Sequence, residues 1–254
     1  MATRKDLRKT IQGISTIPTL PTVVDKITRL LQNPQTSAEE IGRAITTDQA
    51  LASKVLKLVN SAFYGFPGRI STITHAVVIL GFSTVKNIVL TASIFDVFKK
   101  KQIASSSFDV DKFWFHSVAC GAASQALAKC IGVGEKEECF IAGLIHDIGK
   151  IIMCQYLPDE FAKAFNCAHD EGRLLYDAEK KLFGDTHQEI GGILAESWNL
   201  PQSLQDAVKF HHVPSPARDH FTITAIVHTA DIMVRSLDFG NGGDEKVPMM
   251  NQLV

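Results

Sequence analysis

The residues best suited to chemistry lie in the second half of the chain, and most of them are histidines and aspartates. His146 and Asp147 are adjacent, His116 precedes them, and Asp231 follows within an apolar stretch. Imidazole nitrogen combined with carboxylate oxygen suits Fe, Mn, Zn or Ni better than Ca²⁺. An aspartate inside an apolar helix must form an ion pair or hydrogen bond, bind a metal, or lie at the polar edge of that helix. The set indicates a divalent transition-metal site, whereas a His-Asp pair alone is more often a surface or capping pair.

Three further histidines, His187, His211 and His212, fall at helical positions among apolar residues. A single histidine on an apolar face is usually a core residue, but the recurrence on several predicted helices favours a shared role. Lys150 follows His146 by four residues, which is about one helical turn. Its ammonium can therefore meet a phosphate oxygen beside a metal, and the alternative is an ordinary solvated lysine.

The elements that must position these residues have helical periodicity almost throughout. In the second half we predict helices over residues 110–131, 136–156, 159–171, 173–183, 186–198, 201–212 and 222–237. No run alternates with a period of two, so the sequence predicts an all-α fold of two packed helical subdomains.

Capping signals mark the helices of the first half. Pro21 opens a helix, Ser37 and Glu40 form a capping box, and Asp48 caps the next helix. A short helix is predicted from Thr72 to Leu80, and Ser83 is predicted to cap a longer one that ends near Phe98.

The best linker candidate is the run from Lys99 to Ser107, which is basic and serine-rich and has little to bury. We therefore assign residues 1–106 to an N-terminal subdomain and residues 107–254 to a metal-binding helical subdomain.

Residues 1–110 carry 14 Lys+Arg and 7 Asp+Glu, whereas residues 111–254 carry 12 and 20. An acidic, histidine-rich half favours metal binding, although two solvated surfaces with a chance imbalance explain the charge equally well.

The composition, with 45% hydrophobic and 21% charged residues among 254, is that of a globular protein and excludes disordered or collagen-like chains. No uncharged apolar run approaches the ~20 residues that cross a bilayer, and no signal core follows the charged N-terminus. The five cysteines form no CxxC pair. We therefore expect a cytoplasmic protein with reduced thiols and no membrane partner. No specific nucleic-acid binding is expected, because no aromatics are interleaved with the lysines.

Motifs in both halves resemble those of the HDOD branch of the HD superfamily of metal-dependent phosphohydrolases. His116, His146-Asp147 and Asp231 resemble the HD pattern. The segment from Gly184 to Pro201, followed by His211-His212, resembles the HDOD branch more closely. The first half agrees through Leu20-Pro21, Asp48–Leu51, Leu58–Ala62 and Ile73–Gly81. The resemblance extends from about Ile17 to Val247.

This resemblance implies an HD-type helical bundle in the second subdomain and one or two divalent ions. The ligands implied for a first metal are His116, His146, Asp147 and Asp231. Related HD-GYP phosphodiesterases bind a second metal through histidines that match His187, His211 and His212, with Asp147 as the bridge. Those enzymes also have a lysine at the position of Lys150.

Two departures weaken the resemblance to the cyclic-dinucleotide enzymes. Val213–Pro216 follow the paired histidines in place of a glycine-tyrosine-proline loop. Lys112 stands where some of those enzymes have a glutamate, which argues against a third metal.

Two functions from different classes follow. The first, which we favour, is a bacterial signal-transduction module that contacts signalling proteins and whose metals are structural. The alternative is a phosphohydrolase, such as a phosphodiesterase acting on a nucleotide or cyclic dinucleotide, with Asp147 and Lys150 as catalytic residues. In that case two cations would hold the phosphate and lower the pKa of the attacking water, and Lys150 would neutralise developing charge. The loop after His212 is short and offers few phosphate-binding groups, which favours the module.

Overall fold

The structure is a computed structural model that describes residues 7–13, 22–31, 33, 35–61, 65, 68–99, 108–134, 136–244, 246–252 and 254. Within these residues all regular secondary structure is helical, so the all-α prediction is confirmed. The helices are α1 (Leu7–Gln12), α2 (Thr22–Leu31), α3 (Ala38–Thr46), α4 (Gln49–Val59), α5 (Ile73–Leu80), α6 (Phe82–Lys99), α7 (Val110–Ile131), α8 (Lys136–Ile145), α9 (Ile148–Tyr156), α10 (Pro158–Glu171), α11 (Leu175–Leu182), α12 (His187–Ser197), α13 (Gln202–Phe210), a 3₁₀ helix (Ser215–His220) and α14 (Phe221–Ser236).

One compact unit spans residues 18–100 and contains α2 to α6. Two of its predicted capping signals are confirmed, because Ser37 and Glu40 form a reciprocal capping box and the Asp48 side chain accepts a hydrogen bond from the Leu51 amide. Helix α6 begins at Phe82, so Ser83 lies in its first turn and does not cap it. The helix start predicted at Pro21 lies outside the described residues.

The second compact unit contains residues 101–254 together with residues 1–17. Helix α7 matches its predicted range, and α10 to α14 match theirs to within two residues at each end. Helix α1 packs against α12 and buries Leu7 and Ile11, so it belongs to this unit and not to the N-terminal subdomain to which we assigned it. In the sequence, the two buried apolar residues of α1 do not indicate against which unit this helix packs. The predicted linker begins at Lys99, which is the last residue of α6, and its remaining residues 100–107 lie outside the described residues. The division at residues 106 and 107 stays a prediction.

The single helix predicted over residues 136–156 is wrong, because α8 ends at Ile145 and α9 begins at Ile148. The break falls on His146 and Asp147. Asp147 is the N-cap residue of α9, yet its carboxylate makes no capping hydrogen bond. The apolar pattern continues across the break because both helices are buried, so periodicity alone does not reveal it. The break leaves the Asp147 carboxylate available for other contacts.

One stretch of the described chain, Lys136–Tyr156, is long and apolar enough to cross a membrane, judged by length and composition alone. It consists of α8, the break and α9, and 83% of its most apolar window is buried in the protein interior. The packed core accounts for its apolar composition.

Helices α9 and α12 approach each other closely at Gly149. A Cβ atom at this position would lie 1.9 Å from the carbonyl oxygen of His187 and 2.8 Å from the amide nitrogen of Gly191. Both obstacles are backbone atoms, so no side-chain rearrangement can remove the clash. Only glycine permits the approach that brings the start of α12 next to the α8–α9 break.

Replacing Gly149 by alanine should therefore lower the free energy of unfolding by about 1–3 kcal/mol, the usual cost of overpacking a core. The matched control is Gly134→Ala, because a Cβ atom there meets nothing within 4 Å. Urea denaturation of the two variants and the wild type measures the difference. Equal stability of the two variants would contradict the packing described.

Candidate metal centre

Eight potential ligand side chains from separate parts of the second unit meet in its interior as two clusters. In each cluster the ligand atoms lie within 4.8 Å of one another. The first cluster is formed by His116, Cys120, His146 and Asp231, and the second by Asp147, His187, His211 and His212. Their side chains come from α7, the α8–α9 break, the start of α12, the two residues after α13, and α14.

The Asp147 carboxylate lies between the clusters and presents one oxygen to each. Its Oδ2 lies 3.3 Å from His146 Nε2 and 4.0 Å from His116 Nε2. Its Oδ1 lies 3.3 Å from His187 Nε2 and 3.4 Å from His211 Nε2. This is the arrangement of a carboxylate that can bridge two cations.

The spacing of the ligand atoms fits a transition metal. Two ligands about 2.1 Å from one ion, at an angle between about 90° and 110°, are roughly 3.0–3.4 Å apart. His116 Nε2 lies 3.1 Å from Asp231 Oδ1, and His187 Nε2 lies 3.1 Å from His212 Nε2. The separations of Asp147 Oδ1 from its two histidine partners fall within the same range.

Other groups fix the orientation of the histidine rings. His146 Nδ1 donates to the Gly143 carbonyl at 2.7 Å, and His211 Nδ1 donates to the Val208 carbonyl at 3.0 Å. His187 Nδ1 donates to Glu179 Oε2 at 2.7 Å. A ring that donates from Nδ1 directs its Nε2 atom toward the cluster, as in most metal-binding histidines.

Three buried atoms that face the clusters have no hydrogen-bond partner among the described residues. They are His146 Nε2, His211 Nε2 and Asp147 Oδ1. Burying a polar atom without a partner is costly, so native proteins rarely leave several together. A cation in each cluster would satisfy all three, and the residues present therefore fit a divalent metal.

Two buried cations also contact the carboxylates. Lys150 Nζ donates to Asp147 Oδ2 at 2.8 Å, and Arg235 Nε donates to Asp231 Oδ1 at 2.7 Å. The Lys150 side chain is fully buried, so the interpretation of Lys150 as a solvated lysine is wrong. Its place in the turn after the break gives it Asp147 as a neighbour three residues earlier.

These contacts determine the charge states of the acids. Burial alone would raise the pKa of Asp147, but Lys150 and His146 hold that pKa well below its usual value. Burial likewise opposes ionisation of Asp231, but Arg235 and the neighbouring histidines hold its pKa well below the usual range. Both carboxylates are therefore ionised and ready to bind a cation.

The histidines separate into two groups. Burial disfavours the charged form of His146 and His187, but Asp147 raises the pKa of His146 to about 9, and Glu179 helps to raise that of His187 to about 8. Burial lowers the pKa of His211 to about 4, and burial and His211 lower that of His212 well below its usual value. Near pH 7, the second pair is neutral and the first pair protonated in the absence of metal.

All seven ligands expected from the sequence lie in these clusters, and their role in metal binding stays a prediction. Cys120, Glu179 and Arg235 were not expected. Cys120 follows His116 by four residues and Arg235 follows Asp231 by four, so helical spacing alone could have identified both. Glu179 lies on a different helix from His187, and nothing in its local sequence marks it.

Comparison with known proteins identifies the family and the fold. The sequence profile of the HDOD domain matches residues 17–214. A solved HDOD domain protein of unknown function from Geobacter sulfurreducens is 28% identical, with a TM-score of 0.83, and the match covers 95% of this chain and 80% of that one. A candidate phosphohydrolase from Shewanella amazonensis is 26% identical, with a TM-score of 0.76, over 90% of this chain and 81% of that one.

A curated relative from Treponema pallidum, an uncharacterised protein, is 27% identical over 237 residues. The match covers 92% of this chain but 45% of the relative, so the chain spans less than half the length of that protein. Because the family profile matches most of the chain, including His116, His146, Asp147, His187, His211 and His212, the chain belongs to the HDOD domain family.

Proposed function

We propose that the chain is a regulatory module of bacterial signal transduction that holds two divalent transition-metal ions, one in each cluster. The observation that carries this proposal is the position of Asp147, whose two carboxylate oxygens face different clusters. The buried atoms without hydrogen-bond partners on both sides of Asp147 support two ions in preference to one.

In this proposal the metals are structural. The ligands lie between residues 116 and 231 and meet only in the folded chain. An ion in the first cluster would link α7 to α14, and an ion in the second would link the α8–α9 break to α12. An ion that binds only the native state stabilises it. The module thereby presents a fixed surface to signalling protein partners in the cytoplasm.

The donor sets suggest which ions bind. The second cluster offers three imidazoles and a carboxylate, a set that suits Fe, Mn, Ni or Zn. The first cluster adds the Cys120 sulfur, 3.5 Å from His116 Nε2. Burial raises the pKa of the Cys120 thiol well above its usual value. Cys120 would therefore favour Zn²⁺ or Fe²⁺ over Mn²⁺ only where a bound metal displaces its proton, because the thiolate is the soft ligand.

The alternative function is a metal-dependent phosphohydrolase. It is favoured by the description of the Shewanella amazonensis protein and by the burial of Lys150 beside the bridging carboxylate. Two divalent ions supply Lewis acidity and lower the pKa of water when bound. Lys150 would hold a phosphoryl oxygen and Asp147 would orient the site. The regulatory proposal is preferred, because the loop after His212, Val213–Pro216, is short and offers few phosphate-binding groups.

Replacing Asp147 by alanine should abolish metal binding, because both clusters lose the shared carboxylate and the second cluster then has only histidines to hold a cation. The matched control is Asp170→Ala, since the Asp170 side chain is 76% exposed and lies away from the clusters. Elemental analysis of both purified variants gives the metal content per chain. Equal content in the two variants would contradict the assignment of the site.

Metal binding should also release about two protons per chain at pH 7, because His146 and His187, with pKa values of about 9 and 8, carry protons in the metal-free protein. Protons compete for the same nitrogens, so metal affinity should rise from pH 7 to about pH 9 and then level off. Calorimetry in buffers of different ionisation enthalpy measures the number released. A third proton would indicate that Cys120 binds as a thiolate, and a heat independent of buffer would refute this account.

The regulatory proposal predicts that the metal-loaded wild type does not hydrolyse cyclic dinucleotides, linear dinucleotides or nucleoside phosphates with Mn²⁺, Fe²⁺ or Ni²⁺ present. Metal-dependent turnover that falls by about tenfold to a thousandfold in Lys150→Ala, at unchanged metal content, would instead establish the phosphohydrolase. Lys180→Ala is the control, because Lys180 is an exposed lysine on α11.

A further inference from the structure

Residues 240–244 lie directly against the first cluster without forming a helix, and we call them the strap. The Asn241 amide donates to the Lys112 carbonyl at 3.1 Å. A Cβ atom at Gly240 would lie 2.5 Å from the backbone nitrogen of His116, and one at Gly242 would lie 3.1 Å from His116 Nε2. Gly240 also has a φ of +75°, which favours glycine. The glycines therefore allow the backbone to cover the cluster at close range.

The strap ends in Asp244, whose buried carboxylate is held by three donors from different elements. Its Oδ2 accepts from Arg235 Nη1 at 2.5 Å and lies 3.3 Å from Lys150 Nζ. Its Oδ1 accepts from the amide of Leu175, the first residue of α11, at 2.5 Å. An arginine, a lysine and an amide at a helix N-terminus together form the donor set that binds oxyanions.

One further donor of this set lacks a hydrogen-bond partner in the described part of the chain and makes only a long ion pair. Arg235 Nη2 is buried and has no hydrogen-bond partner among the described residues, and it lies 3.7 Å from Asp147 Oδ2. The Arg235 side chain is 6% exposed. A carboxylate offers two oxygens and one charge, whereas a phosphate group offers three or more oxygens and up to two charges. The donors therefore suit a phosphate group better than the carboxylate that occupies them.

We propose that Lys150, Arg235 and the Leu175 amide form an anion subsite for a phosphate-bearing ligand, and that Asp244 occupies it as an internal competitor. Binding of the ligand displaces Asp244, and the strap leaves the first cluster. This inference deepens the proposed function by naming the class of ligand the module senses. It rests on that function for the position of the subsite beside the metals.

The strap is built to be displaced at low cost. Its residues are three glycines, an asparagine and an aspartate, so it buries no apolar side chain of its own. The contacts of the Asp244 carboxylate are hydrogen bonds and ion pairs, which a phosphate group can replace at the same donors. The strap backbone also covers Phe108, since a Cβ atom at Gly243 would lie 3.2 Å from Phe108 Cε2. The hydrophobic stabilisation lost when the strap leaves is therefore limited to what this backbone cover provides.

The test is calorimetric titration with inorganic phosphate, on the protein as purified and again after chelation. Asp244→Asn removes the competing charge, and Gly240→Ala displaces the strap while leaving every charged group in place. Both variants should bind phosphate about tenfold or more tightly than the wild type, because the competitor is weakened. The control is Asp238→Asn, an exposed residue just before the strap, which should bind as the wild type does.

Two further measurements complete the test. Adding Arg235→Gln to Asp244→Asn should remove the gain in affinity, and circular dichroism confirms that each variant is folded. In the wild type, phosphate should increase amide hydrogen exchange in the strap.

Equal phosphate affinity in all variants, or phosphate binding with the strap still protected, would overturn the inference. If the wild type binds no metal but still shows these phosphate effects, the proposed function is refuted and the inference stands. A metal-loaded protein without these effects would refute the inference alone.

Discussion

The second unit is organised around a carboxylate, that of Asp147, which is fully buried and charged. An isolated charge in a protein interior is strongly unfavourable, and burying it requires compensating groups from several directions. Here the compensation comes from Lys150 within 2.8 Å and from histidine nitrogens on both sides. The other polar groups of the centre can be understood as ligands, partners or positioning groups for this one charge.

Small residues bring these groups within reach. A Cβ atom at Gly143 would lie 2.6 Å from the Cys120 carbonyl, and one at Gly121 would lie 2.9 Å from the Phe140 carbonyl, so α7 and α8 pack backbone to backbone. Gly149 does the same between α9 and α12. Side chains as short as those of histidine and aspartate can meet only because the helix backbones approach this closely. The geometry of the candidate metal centre therefore depends on glycines that are not themselves ligands.

Much of this arrangement could be predicted from the sequence, and the remainder has physical reasons. The ranges and caps of most helices follow from local sequence patterns. The motifs also identified the seven histidines and aspartates that lie in the two clusters. The break at His146 was missed because hydrophobic periodicity reports burial and not helix continuity. Glu179 and Asp244 reach the centre through tertiary contacts, from another helix and from the polar, glycine-rich segment after α14, and no local pattern records such contacts. The burial of Lys150 was missed because its partners, Asp147, Asp244 and the Gly242 carbonyl, converge only in the fold.

The central claim is that Asp147 separates two metal positions. Anomalous diffraction from crystals of the protein as purified, recorded on both sides of the absorption edge of each candidate metal, tests this claim most directly. The account predicts two peaks, one between His116, His146 and Asp231 and the other between His187, His211 and His212, with Asp147 between them. A single peak, or crystals with no anomalous signal at either cluster, would contradict it.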